Sequence, residues 1–409
     1  MAFEAGRWLP RSATADGKRL LATRAMRGFA DGAVSVLLPS YLLTINFSAG
    51  QVGTIVFGTL LGSAALTLWV GLLSHRLGRK RLLLAACILM FATGIGFAAS
   101  RNFWLLFIVA IVGTLNPSAG DVSLFLPIEQ AALAETVTSR DFTSMFALYN
   151  VAGALTGAIG ALASGLPPML AASYGWNLAR AQSSGFVAYS AIALPAALLY
   201  SRLSPAVEAE PVPAQTKPLS KSRKVVLQLS ALFSIDAFGG GFVVQSLLAL
   251  WLFRRFGLSV QAAGVFFFAT GLLGALSQFV SSSLADRFGR INTMVYTHLP
   301  ANVFLILAAV MPTAPLALGC LLLRAALSSM DVPARQSYVM AVVPPEERAA
   351  AASVTNVPRS LATAFAPLPS GLLLDRTLFG WPLVIGGTLK VIYDLLLLKQ
   401  FHSVRPADE

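Results

Sequence analysis

At 409 residues, with 56% hydrophobic and 12% charged side chains, the chain has about half the charge of ordinary soluble domains, which carry roughly 25%. A mean hydropathy of +0.72 requires long stretches with no polar face, which excludes a water-solvated globule and selects lipid as the solvent. The formal charge of +12 admits nucleic acid as a partner only until the cations are located.

The N-terminal stretch Met1–Arg27 holds Arg7, Arg11, Lys18, Arg19, Arg24 and Arg27 but no apolar core followed by a small-residue cleavage site. No cleaved signal peptide is expected, and the first span directs its own insertion. Windows of about 20 mainly apolar residues, enough to cross roughly 30 Å of hydrocarbon, fall at 20–47, 52–74, 80–99, 103–126, 141–166 and 183–201. After a polar, Pro-rich stretch they resume at 225–253, 260–284, 291–311, 314–333, 349–374 and 380–399. Alternating the sides of these spans places 22 of the 30 Lys and Arg with the N-terminus and only Arg101, Arg180, Arg254, Arg255 and Arg376 opposite; Arg324, Arg359 and Lys390 fall inside spans. By the positive-inside rule both termini are cytoplasmic. Topology and contact with anionic membrane lipids account for the cations, and nucleic acid is not needed.

The stretch Ser204–Lys224 cannot bury enough apolar area to fold and reads as a linker. The expected organisation is a cytoplasmic segment 1–19, a six-helix bundle 20–201, a linker 202–224, a second bundle 225–399 and a tail 400–409. A shift of 206 residues superposes Pro127 on Pro333, Gln130 on Gln336 and Asn150 on Asn356. Together with a basic turn after both the second and eighth spans, these matches imply a duplication. Cys87 and Cys320 lie in separate apolar runs and read as packing residues.

The first basic turn runs Gly71, Leu73, His75, Arg76, Gly78, Arg79, Lys80, Arg81, and the second Leu284, Asp286, Arg287, Gly289, Arg290. Both resemble the G-x-L-x-D-R-x-G-R-[KR] turn of the major facilitator superfamily, and the resemblance extends from Leu20 to about Leu398. It implies an all-α membrane protein of twelve transmembrane helices in two pseudo-symmetric six-helix bundles, with a solute site between them. It also implies that these turns latch the cytoplasmic side, with Asp121 or Glu129 as partners of the first and Asp331 of the second. His75 stands where the family usually has Asp. A surface His and a pH-responsive latch both fit that position. The fifth span has Gly153, Gly157 and Gly160 without the Gly-Pro of many proton-coupled exporters; close helix packing explains such spacing.

A charge at the centre of a membrane helix costs roughly 2.5 to 3.5 kcal/mol on insertion scales, so those retained face a partner or a wet cavity. Asp31 and Asp236 stand about a third of the way into spans one and seven, which the family fold places around the cavity, and are the expected proton-coupling groups. The alternative is neutralisation by a neighbour: Arg27 precedes Asp31 by one helical turn, whereas Asp236 has no such close cation. Arg324 and Arg359 offer planar forks suited to an anionic solute, or to pairing with Asp236 or Asp331. Lys390 and Asp394, one turn apart, are expected to neutralise each other. Tyr41, Asn116, Gln245, His298 and Asn302 are candidates to line the cavity, as are Tyr149, Asn150 and Asn356, although polar residues in membrane helices more often bond to a neighbouring helix.

No phosphate-binding loop, metal-ligand cluster or nucleophile-base grouping occurs in the sequence, so neither an enzyme nor a cofactor is expected. The reading is a monomeric secondary transporter of a small-molecule substrate in a bacterial inner membrane, exporting a small organic solute in exchange for protons. Proton-coupled uptake of a small organic anion is the alternative. A substrate sensor on a carrier fold would usually add a soluble extension, for which the short tails leave no room. Single cysteines at Thr216, Asn102 and Gly257 test the topology in intact cells: Thr216 is expected to resist a membrane-impermeant maleimide while Asn102 and Gly257 label. Labelling of all three from outside contradicts it.

Overall fold

The computed structural model describes residues 10, 12–118, 123–138, 141–208, 219, 222–344 and 347–401, with the side chains of 71–76, 142, 143, 279, 282, 283, 286, 333, 340, 348 and 349 outside that description. Asp121 and the side chains of His75, Arg76 and Asp286, together with Gly71, therefore lie outside the described residues. Among the described residues there are seventeen α-helices and no strand.

They form twelve spans. The first half comprises α1 (Ala15–Thr44), α2 (Ala49–Leu77), α3 (Arg79–Ala99), the broken pair α4 (Phe103–Val112) and α5 (Phe125–Ala134), the pair α6 (Phe142–Ala163) and α7 (Leu166–Tyr174), and α8 (Leu178–Ser201). The second half repeats that order: α9 (Arg223–Gly241) with α10 (Gln245–Phe256), α11 (Val260–Phe288), α12 (Arg290–Val310), α13 (Ala314–Ser328) with α14 (Asp331–Ala341), α15 (Arg348–Phe365) with α16 (Pro367–Arg376), and α17 (Trp381–Phe401). Eight stretches are long and apolar enough to cross a membrane by length and composition, namely spans two, three, five to nine and twelve. Spans one, four, ten and eleven fall short because they are charged or broken. Those same spans carry Arg24, Arg27, Glu129, Arg324, Asp331, Arg335 and Arg359 into the interior.

The breaks have local causes. Between α9 and α10 the triplet Gly239–Gly241 weakens the helix, and the chain re-enters helix after Val244. Between α4 and α5 the Pro117 carbonyl is left outside any helix and accepts hydrogen bonds from the Ser246 backbone N–H and hydroxyl, both at 3.1 Å. Gly78 and Gly289, which open α3 and α12, have φ of +79° and +82°, so each basic turn reverses through a conformation that L side chains rarely adopt.

Within the first half, α1 and α6 meet backbone to backbone. A Cβ on Gly32 would lie 1.9 Å from the Gly157 carbonyl oxygen, and one on Gly160 would lie 2.0 Å from that of Phe29. The glycines of span five thus serve close packing, where small residues let helices approach. Gly153 has a further use, because a Cβ there would sit 2.2 Å from Nε of Arg24.

The start of α1, the end of α8, the start of α9 and the end of α17 define one face of the molecule, the terminal side. Among the described residues, the hydrogen bonds between the halves fall on the opposite, distal side: Gln245 Nε2 to Ser35 Oγ at 2.9 Å, Ser246 Oγ to the Ser35 carbonyl at 2.6 Å, the Ser246 bonds to Pro117, and the Ala49 N–H to Asp375 at 3.1 Å. Gly53 and Gly371 press α2 onto α16, and Gly264 lies against the Ala161 carbonyl. The distal side is sealed. Since a Cβ on Gly53 would fall 2.6 Å from the Pro367 carbonyl, Gly53→Leu is expected to wedge the seal apart. With Cys87 and Cys320 replaced by Ala, labelling of Gln245→Cys from the distal side should accelerate several-fold; an unchanged rate would show that this contact does not hold the seal.

Candidate solute and coupling site

On the terminal side of the seal lies a cavity of about 440 Å³ between the halves. The first half contributes small residues, Ala154, Gly157, Ala158 and Ala161, together with Ser118. From the second half come Asp236, Gln245, Gln278, Arg324, Arg359 and Lys390. One wall is apolar and shaped by helix packing, and the other is cationic. Three cations there face one carboxylate. The Nε of Arg324 is buried without a hydrogen-bond partner, which leaves a donor at the cavity wall.

Behind that wall is a buried network of charged and polar groups. Lys390 Nζ donates to Asp236 Oδ1 at 2.5 Å, and Arg335 Nη1 lies 3.3 Å from both Asp236 Oδ2 and Asp331 Oδ2. His298 stands between two carboxylates, with Nε2 3.7 Å from Asp236 and Nδ1 2.9 Å from Asp394. Asn302 donates to Asp394 at 3.0 Å. Asp394 is 0% exposed, and a buried carboxylate of that kind persists only where donors and counter-charge replace water.

The first half has its own network with the polarity reversed. Arg27 of α1 pairs with Glu129 of α5, and Glu129, 0% exposed, also accepts from the hydroxyls of Tyr149 and Tyr200 and from Thr23 Oγ1 at 2.9 Å. Arg27 stacks 4.2 Å from the centroid of Phe125, and Arg24 lies 5.2 Å from that of Tyr149. Here Arg on the first span meets Glu on the fourth. In the second half Asp on the seventh meets Arg on the tenth.

Several sequence expectations change accordingly. Asp236 is not isolated from cations but is held by Lys390 and Arg335, and Lys390 does not neutralise Asp394, which instead binds His298 and Asn302. The four-residue spacing on α17 is overridden because α9 and α12 bring nearer partners. His298 and Asn302 stand in the network behind Asp236 rather than among the lining residues. The Tyr41 hydroxyl donates to the Phe97 carbonyl at 3.1 Å at the end of α3, away from the cavity. Asn116 Oδ1 accepts from Ser118 N and Oγ at 3.0 and 2.9 Å, shaping the break in span four. Asn150 and Asn356 are exposed, and Tyr149 serves Glu129. Asp31 is buried on α1 near Arg27, Arg24 and Glu129, outside the lining set. Gln245, Arg324 and Arg359 do line the cavity.

Among the described residues, Glu129 pairs with Arg27 and Asp331 with Arg335. The first turn also meets the linker: Glu208 accepts from the backbone N–H groups of Arg79 and Lys80 at 2.6 and 2.9 Å, and Arg79 Nη1 donates to the Val207 carbonyl at 2.8 Å. A carboxylate at a helix N-terminus satisfies otherwise orphaned donors. Arg287 is exposed beside Phe288, and Arg290 is half-buried. Sequence reasoning did not anticipate Arg335 or Lys390 as partners of Asp236. One signal was present: the 206-residue shift that aligns Pro127 with Pro333 also sets Glu129 on Arg335.

The chain matches the Major Facilitator Superfamily over residues 20–367 and again over 237–407. It belongs to the major facilitator superfamily. A similar relative is an uncharacterized membrane protein of Saccharomyces cerevisiae, 26% identical over 96% of this chain and 95% of that protein. Among solved structures, the xylose transporter XylE from E. coli in a partially occluded inward-open conformation superposes with a TM-score of 0.74 at 15% identity, covering 97% of this chain and 99% of that one. A bacterial homologue of the human lysosomal transporter Spinster, inward-facing and occupied, superposes at 0.73 with 16% identity, covering 96% and 98%. At such identities the superpositions show the fold, and the chemistry of the cavity is this superfamily member's own.

Removing one partner of a buried pair leaves an uncompensated charge and costs roughly 3 to 5 kcal/mol. Glu129→Leu is therefore expected to lower the thermal unfolding midpoint in detergent sharply, and Arg27→Met added to it should recover a large part of the loss. A double variant no more stable than Glu129→Leu would show that the pair does not carry this stability.

Proposed function

We propose that this protein is a proton-coupled secondary transporter of a small organic anion, working by alternating access. The observation that carries the anion is the cavity wall, where Arg324, Arg359 and Lys390 face the single carboxylate of Asp236. A guanidinium held in a dry wall offers a planar fork to a carboxylate or phosphate, and the interaction strengthens as water is excluded. The small residues of α6 opposite leave room for the body of the solute.

Alternating access follows from the distal seal and the two-fold repeat. A seal built of glycine contacts and a few short polar bonds separates without melting either bundle, and rocking of the halves then exposes the same cavity to the other side. Under positive-inside orientation the open side is cytoplasmic. Each copy contains both halves and a complete cavity, so the working unit is the monomer. Asp236 is the coupling carboxylate, since it both lines the cavity and is bonded to Lys390 and Arg335 of the network behind it. Asp31, enclosed with Arg24, Arg27 and Glu129, serves the structure of the first half. The cationic wall favours uptake or release of an anion over export of a neutral or cationic compound, and the direction of net flux follows the imposed gradients.

The test is flux into proteoliposomes under an imposed pH gradient with gluconate, glucose 6-phosphate, xylose, uridine and tetraphenylphosphonium as probes. Accumulation of gluconate or glucose 6-phosphate is expected, with none of the other three. Arg324→Gln should reduce it about tenfold, the equivalent of roughly 1.4 kcal/mol for one lost charge-assisted contact. Accumulation confined to the neutral or cationic probes, or binding without flux, overturns the reading.

A further inference from the structure

The second-half network contains one cation with two possible partners. Lys390 Nζ donates to Asp236 Oδ1 at 2.5 Å, yet Lys390 also lines the cavity. Its stem lies along the glycines of α9: a Cβ on Gly240 would come 3.5 Å from both Cε and Nζ, and one on Gly239 would come 3.1 Å from Cγ. The absence of side chains there gives the ammonium a track between Asp236 and the cavity. Long, flexible lysine stems suit such a transfer, whereas the fork of Arg335 is pinned between Asp236 and Asp331.

The departure of Lys390 unbalances the buried charge. Asp236 faces Lys390, Tyr393 and Asp394 of α17, His298 of α12, Arg324 of α13, Asp331 and Arg335 of α14 and Arg359 of α15. Arg324 and Arg359 stand at the wall with the solute. Behind it, the carboxylates Asp236, Asp331 and Asp394 are set against Lys390 and Arg335, with His298 Nδ1 2.9 Å from Asp394. When an anion takes Lys390, the buried set is short of one positive charge. An uncompensated buried carboxylate is costly, so a proton must enter. Asp236 receives it, being the member of that set that lines the cavity and is reached from there.

We propose that Lys390 is a shared counter-ion, exchanged between Asp236 and the anionic solute, so that each anion bound brings one proton onto Asp236. This rests on the anion reading of the cavity and adds the coupling rule: solute and proton bind together, as in a symporter. Lys390 touches solute in one state, while His298 and Asp394 act only as positioning residues beside Asp236.

Two measurements test it. The first needs no solute. Infrared spectra of purified Lys390→Met and Lys390→Gln at neutral pH should show a protonated carboxyl band that is absent from wild type and lost again when Asp236→Asn is added. Absence of that band in both variants overturns the proposal and leaves the anion reading intact. The second needs no variant. If one proton is taken up with each anion, wild-type affinity for gluconate or glucose 6-phosphate must weaken about tenfold per pH unit as pH rises across neutrality. An affinity independent of pH overturns the shared counter-ion even if the band is present. Failure of both probes to bind at any pH removes the anion reading, and the proposal with it.

Discussion

Counter-charge in a medium that cannot supply water is the constraint on which the rest of this structure depends. In lipid, an ionised side chain must find its opposite within the protein or face a wet cavity. The chain places Arg27 and Glu129 in one half and Asp236, Lys390, Arg335, Asp331, His298 and Asp394 in the other, and the helices are arranged so that each meets a partner. Spans one, four and ten carry Arg27, Glu129, Asp331 and Arg335, whereas Asp236, His298, Lys390 and Asp394 stand in spans seven, nine and twelve, which are still apolar enough overall to cross lipid.

The two halves use one architecture with opposite electrical sense. An arginine on the first span and a glutamate on the fourth become an aspartate on the seventh and an arginine on the tenth. The first-half network is closed by two tyrosine hydroxyls and a threonine, so Glu129 has no spare acceptor. The second-half network reaches the cavity through Asp236 and Lys390, and its histidine has two carboxylate neighbours. A closed network and one that reaches the cavity are thereby divided between the two halves.

Glycine sets the distances at which this works. Gly32, Gly157 and Gly160 bring α1 onto α6, Gly153 makes room for Arg24, and Gly53 with Gly371 forms part of the seal between halves. The basic turns at Gly78 and Gly289 share a left-handed reversal, but the first is tied to Glu208 of the linker.

Span count, the duplication and the excess of cations on one side were readable from the sequence, because hydrocarbon thickness, a fixed repeat offset and the positive-inside bias act along the chain. Arg24, Arg27 and Arg335 were counted there as surface cations and are buried, and their removal leaves the bias in place. The identity of the costly charges was also legible, since any ionisable group inside an apolar run stands out. Their partners were not. Spacing along α17 pointed Lys390 at Asp394, whereas packing against α9 and α12 offered Asp236 to one and His298 to the other. Local periodicity ranks only neighbours on the same helix. In a low-dielectric interior the decisive neighbour is the nearest opposite charge, and only the tertiary arrangement of helices decides which that is.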